Sequence, residues 1–142
     1  MSNNTLTLRE GLAHFHAAYT AELSHHQPGV SKEAKAFFRS HDVAHVLFGC
    51  DTSLRGEGAV KIWTIFGTTL GFWSHLKGYQ SANALALSTN FGLDEVVRDI
   101  FKLLLSIPRI ILKARRMHKS WPWTDYDSYL DQPIAKIREE FN

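Results

Sequence analysis

The sequence predicts an all-α fold: a single domain over residues 1–142, built as a bundle of about five to seven helices. Three observations carry this expectation. Apolar residues recur at three- and four-residue spacing along most of the chain, while alternating apolar and polar runs are scarce. Ser, Thr or Asp stands where such stripes begin, and Gly or Pro where they stop. At 142 residues and 44% hydrophobic, the chain is long enough to close one core. It shows no internal repeat and no low-complexity segment.

Leu8, Leu12, Phe15, Tyr19 and Leu23 form one stripe of a first helix, which stops before the breaker cluster Gln27-Pro28-Gly29. Ser31 suits the N-cap of a second helix, with Glu33 in its first turn and Gly49 as its stop. A third helix should start near Asp51 or Thr52, either of which can cap it, and run to about Gly78. A short helical segment is expected around Ser81 to Ser88. A long helix follows from about Asp94 to Lys119, kinked or split at Pro108. Trp121-Pro122-Trp123 reads as a turn, and Thr124 with Asp127 as a capping pair for one further turn. Asp131 and Pro133 then open a final helix through Phe141.

The charge balance is nearly even, with 16 Lys and Arg against 14 Asp and Glu, which argues against a nucleic-acid partner. Cys50 is the single cysteine, so no intrachain disulfide can form and a reduced, cytoplasmic-type chain is expected. The opening MSNNTLTLRE lacks the basic and apolar regions of a secretory signal. The most apolar stretch, Ile62 to Ser74, falls short of the roughly 20 residues of a membrane span, which leaves peripheral attachment to the inner membrane open. The unusual count is eight histidines.

Two of those histidines carry chemistry. His41 and His45 are four residues apart and share a face of the second helix with Ala34, Phe37, Phe38 and Phe48, where a helix normally places leucine. Burying two imidazoles there without partners is costly, and a divalent metal would satisfy both. On the third helix, Glu57, Lys61, Thr64, Thr68 and His75 make one polar seam through an otherwise apolar surface. Gly56 and Gly58 flank Glu57 and permit close approach. The break at Gly49 to Thr52 can fold the third helix back, so that Glu57 becomes an oxygen ligand. Asp42 lies about 100° from His41 on the wheel. It can ligate, orient a ligand, or act on a metal-bound water. The plainer alternatives are two satisfied core histidines, an Asp42–Arg39 pair, and a Glu57–Lys61 pair on a solvent face.

The string His41-Asp42-Val43-Ala44-His45, eleven residues, then Glu57, with Lys61 four on, closely resembles the motif of the ubiquinone (coenzyme Q) biosynthesis protein 4 family. The stretch from Trp121 to Phe141 resembles that family's ending, a Trp-containing turn before a helix. The resemblance implies an all-helical fold and a divalent cation, zinc by preference, held by His41, Asp42, His45 and Glu57. It implies a role in replacing the C1 carboxyl of a prenylated ring precursor by a hydroxyl. It equally implies a scaffold that binds isoprenoid lipid and other ubiquinone-biosynthesis proteins, with a homodimer among the compatible assemblies. Asp42 and Glu57 are then the candidates for moving a proton.

Candidate linings for a polyprenyl chain are Trp63, Phe66, Leu70 and Trp73, with Phe101, Leu104, Leu105, Ile107 and Ile111, although stripes at this spacing commonly form core. Gly67 and Gly71 read as a close-packing pair. Arg109, Lys113, Arg115, Arg116, His118 and Lys119 complement a helix C-terminus or meet anionic headgroups. His14, His16, His25 and His26 complete no ligand set and read as surface residues. Cys50 reads as a small buried residue rather than a soft ligand.

Overall fold

The computed structural model describes residues 5–19, 31–72, 74 and 93–142. Among them the chain is all-α, with no strand beyond two isolated bridges. Helix α1 spans Leu8–Tyr19, α2 Lys32–Phe48, α3 Leu54–Gly67, α4 Leu93–Arg116 and α5 Ile134–Phe141, with a 3-10 turn at Asp127–Tyr129 before the last. The expected continuation of α1 to Leu23, the Pro28 break, the segment at 81–88, and Trp73, His25, His26 and His75 lie outside the described residues.

Local chemistry sets the ends of α2. The Ser31 side chain accepts from the Ala34 amide at 3.1 Å, and Gly49 adopts the left-handed conformation, φ 67°, that closes the helix. At the next helix the cap is Ser53, not Asp51 or Thr52. Ser53 Oγ accepts from the Gly56 amide, while Asp51 accepts from Ser53. Asp51 therefore braces the cap instead of forming it.

Helix α3 ends at Gly67, well before Gly78. Thr68 turns extended and pairs in parallel with Trp121: the Trp121 amide donates to the Gly67 carbonyl and the Thr69 amide to the Trp121 carbonyl. Two backbone bonds to a distant segment replace the next helical turn, a tertiary contact that no local spacing encodes. Helix α4 runs through Pro108 without a break. The carbonyl deprived of its donor belongs to Leu104, an exposed residue, where water can serve it. Thr124 caps nothing, since Tyr126 precedes the 3-10 turn.

Helix α1 packs on α2, α2 on α3, and α3 most extensively on α4. The larger core joins Leu8 and Phe15 of α1, Val43, Val46 and Leu47 of α2, and Trp121, Ile134, Ile137 and Phe141 of the C-terminal segment. A smaller cluster unites Ala44, Val60 and Trp123. From Ser40 to Leu47 every residue of α2 is buried. Helix α2 is thus the central element, and its polar residues must find partners inside the protein.

Candidate metal centre

Two carbonyls at the C-terminal end of α2, Val46 and Leu47, have no donor within the helix. Arg138 of α5 supplies it: Nε donates to the Leu47 carbonyl at 2.7 Å and Nη2 to that of Val46 at 3.1 Å. The loop that follows is equally tied. Cys50 donates its amide to the His45 carbonyl at 2.9 Å, and its own carbonyl accepts from His45 Nδ1 at 3.1 Å. A carbonyl only accepts, so Nδ1 carries the proton of the neutral ring and Nε2 the lone pair.

That lone pair faces Glu57. His45 Nε2 lies 3.0 Å from Glu57 Oε1, and His41 Nε2 lies 3.8 Å from Glu57 Oε2. The two imidazoles meet edge to face with centroids 4.7 Å apart. His45 is 1% exposed. A nitrogen lone pair and a carboxylate oxygen at this separation need a proton or a cation between them. Burial alone would raise the Glu57 carboxyl. The His45 hydrogen bond and the charges of His41, His45 and Lys61 outweigh it and hold the group below the usual carboxylate range.

One donor atom from each of His41, His45 and Glu57 lies within 4.8 Å of the others, so the group can hold a metal ion. Zinc–ligand bonds of about 2.1 Å at tetrahedral angles place donors about 3.4 Å apart. The 3.0 and 3.8 Å separations, which run to the two different oxygens of Glu57, lie on either side of that edge. The Nδ1 bond to a backbone carbonyl is the arrangement that orients a metal-binding imidazole. The residues present fit a divalent ion.

Glu57 reaches this point because it stands in the first turn of α3, immediately beyond the Gly49–Ser53 reversal. The polar seam of α3 faces inward. Thr64 and Thr68 are buried and return their hydroxyls to the Val60 and Thr64 carbonyls at 2.8 and 2.6 Å. Gly56 abuts the Asp51 carbonyl, and a Cβ on Gly58 would fall 2.2 Å from Leu103 Cδ2 of α4. The close approaches expected of these glycines are to their own loop and to a side chain of α4.

Asp42 stands outside the three-residue group. Its Oδ2 lies 3.1 Å from His16 Nε2 of α1. Burial pushes its carboxyl up to about 7, the charge of His45 opposing the rise and that of Glu57 adding to it. His16 is therefore no mere surface residue, unlike the exposed His14. The available signal was its position four residues beyond Leu12, at the border of the α1 stripe. Cys50 serves the site through its carbonyl. Burial, then Asp51 and Glu57, pushes its thiol up to about 12, so it stays protonated and is a poor ligand.

The apolar candidates divide. Trp63 is half-buried and stacks on Phe48 with centroids 4.5 Å apart. Phe66, Phe101, Leu104 and Leu105 are exposed, the last three along one side of α4. No described helix is long and apolar enough to cross a membrane. No family model matches the chain, and neither a curated protein nor a solved structure matches it.

Proposed function

We propose that the chain binds one divalent ion, zinc in the first instance, through His41, His45 and Glu57, and acts in ubiquinone biosynthesis on C1 of a prenylated ring precursor. The observation that carries the proposal is the convergence of these three side chains at the α2–α3 reversal. Two nitrogens and one oxygen are the ligand set of catalytic zinc sites, which keep a position for water or substrate. Structural sites close with four protein ligands. The substrate class is supported by the spacing His41-Asp42-x-x-His45, eleven residues, Glu57.

A divalent ion bound there supplies Lewis-acid polarisation of a ring oxygen or carboxylate. His45 is fixed for its part by Cys50, and Glu57 stays ionised. Asp42 and His16 hold a proton beside the site. Replacing a carboxyl by a hydroxyl is a net oxidation, which zinc does not perform. The oxidant is then molecular oxygen, which would be activated by another metal in the site, by the substrate itself or by a partner protein.

The apolar side of α4, with Phe101, Leu104 and Leu105 exposed and Arg109, Lys113, Arg115 and Arg116 along the same helix, favours a second reading. The chain would then be a non-catalytic scaffold that presents an isoprenoid lipid at a membrane surface, with the metal as a structural clamp.

Elemental analysis of the purified protein against its His41→Ala/His45→Ala variant tests the metal. Near one equivalent in the parent, lost in a still-helical variant, supports the proposal. No metal in either, even after reconstitution, refutes it. A folded His45→Ala protein that fails to restore quinone synthesis in a deficient strain favours the enzyme. One that unfolds favours the structural clamp.

A further inference from the structure

Helix α4 carries three kinds of surface. Ile110 and Ala114 are buried, and Leu103 packs against Gly58 of α3. A second side is apolar and exposed: Val97, Ile100, Phe101, Leu104, Leu105 and Leu112 each keep 45–67% of their surface open. At about 100° per residue these six share an arc of about 140°. The other residues on that arc between Val97 and Leu112 are Pro108 and Ile111, so no polar side chain interrupts it. It runs about 22 Å along the helix.

The third side is basic. Lys102, Arg109, Lys113 and Arg116 lie along one edge of the apolar arc, and Arg115 stands at its C-terminal end, all exposed. Between Val97 and Arg116 the sole acidic residue is Asp99, which is half-buried. This combination complements a layer that is apolar within and anionic at its rim. Lys and Arg stems can follow such a boundary while their charges stay in water.

Two other occupants match the surface less well. A two-fold contact with a second copy sets the patch against itself, and this patch brings cations with no exposed acid to meet them. A protein partner makes roughly one hydrogen bond per 100–200 Å2 covered, and the arc offers no side-chain donor or acceptor. A lipid layer requires none.

We propose that α4 is an interfacial helix. Its apolar arc sinks into the surface of a bilayer that contains anionic lipid, and its basic edge lies among the headgroups. No described helix can cross a membrane, so the contact lies in the plane of the surface. The inference rests on the second reading above only for the membrane surface; the metal plays no part in the contact, which serves an enzyme and a scaffold alike.

Co-sedimentation of the full chain with vesicles tests it, using phosphatidylcholine alone and phosphatidylcholine mixed with phosphatidylglycerol. The parent should bind the anionic vesicles about tenfold or more tightly than the neutral ones. Phe101→Ser/Leu105→Ser should weaken that binding about tenfold or more. Arg109→Gln/Lys113→Gln should weaken it about twenty-five-fold, at about fivefold for each charge. Lys35→Gln/Lys136→Gln, which removes two exposed lysines elsewhere, should bind like the parent. All four altered positions on α4 are exposed, so the helical circular-dichroism signal should persist. If the Phe101/Leu105 variant does not fold, the two lysine and arginine pairs and the comparison of lipids decide. A parent that ignores both kinds of vesicle overturns the proposal. So does anionic binding that Phe101→Ser/Leu105→Ser leaves intact, which is adsorption by charge alone, or that Lys35→Gln/Lys136→Gln weakens equally. A parent that ignores vesicles and forms a dimer dissociated by Phe101→Ser/Leu105→Ser assigns the arc to a second copy and overturns it too. Metal content read in the same samples keeps the questions apart: a protein that holds its ion and ignores vesicles overturns this inference and leaves the metal reading standing.

Discussion

Replacing Arg138 by alanine should loosen the metal centre from a distance of two helices. The guanidinium makes two bonds to the last turn of α2, at 2.7 and 3.1 Å. Each bond to a charged group is worth roughly 1.5–3 kcal/mol, or roughly 3–6 kcal/mol for the pair. Arg138 is only half-buried. Water can therefore take over part of what it satisfies, and about half of that sum, ~1.5–3 kcal/mol, is the expected loss. For a chain of this size it corresponds to a fall in Tm of roughly 6–12 °C. Urea unfolding of the metal-free protein reads the loss directly, with the m value as the check that unfolding stays two-state. Arg138→Lys keeps the charge at the helix C-terminus but loses the fork that serves two carbonyls, and should recover part of the loss. The consequence for function is a lower metal affinity in Arg138→Ala, because His45 lies in the turn that frays. A loss below about 0.5 kcal/mol, outside the range for a bond to a charged group, would refute the assignment of Arg138 as the clamp of α2.

Three further outcomes are expected. Ser31→Ala should cost about 1 kcal/mol by urea unfolding, since it removes the acceptor for the Ala34 amide. Gly58→Val should cost about 1–3 kcal/mol by overpacking Leu103, with Leu103→Ala in the same chain relieving part of the penalty. In the metal-free protein Glu57 is held below the ordinary carboxylate range in the folded state. Its stabilising contribution is therefore complete above the unfolded-state value and is lost as pH falls through the lower folded one. Unfolding across acid pH should show this loss in the parent and not in Glu57→Gln.

The sequence made the helices legible where their determinants are local. Ser31 and Gly49 end α2 as their residue types dictate, because a cap bond and a left-handed turn are decided within four residues. Thr7 with Glu10 is legible by the same rule. The Glu10 amide donates to Thr7 Oγ1 while the Thr7 amide donates to Glu10 Oε2, a reciprocal cap that the Thr-x-x-Glu spacing announces. The end of α3 was not legible. Thr68 leaves the helix because Trp121, more than fifty residues on, offers the backbone bonds that replace the next turn.

The same division runs through the candidate site. His41, His45 and Glu57 share a face or a reversal within a single helical hairpin, so spacing alone brings them together. His16 and Arg138 come from α1 and α5, and nothing in the hairpin's own sequence calls for them. What does call for them is burial. Once α2 is enclosed on all sides from Ser40 to Leu47, the Asp42 carboxylate and the last carbonyls of the helix lose water, and each must be served by a neighbouring element. A motif therefore announces which atoms converge on the ion, while the partners that orient those atoms are dictated by which helices close over the central one. The two halves of the site meet in Asp42, which belongs to the motif by sequence and to α1 by contact.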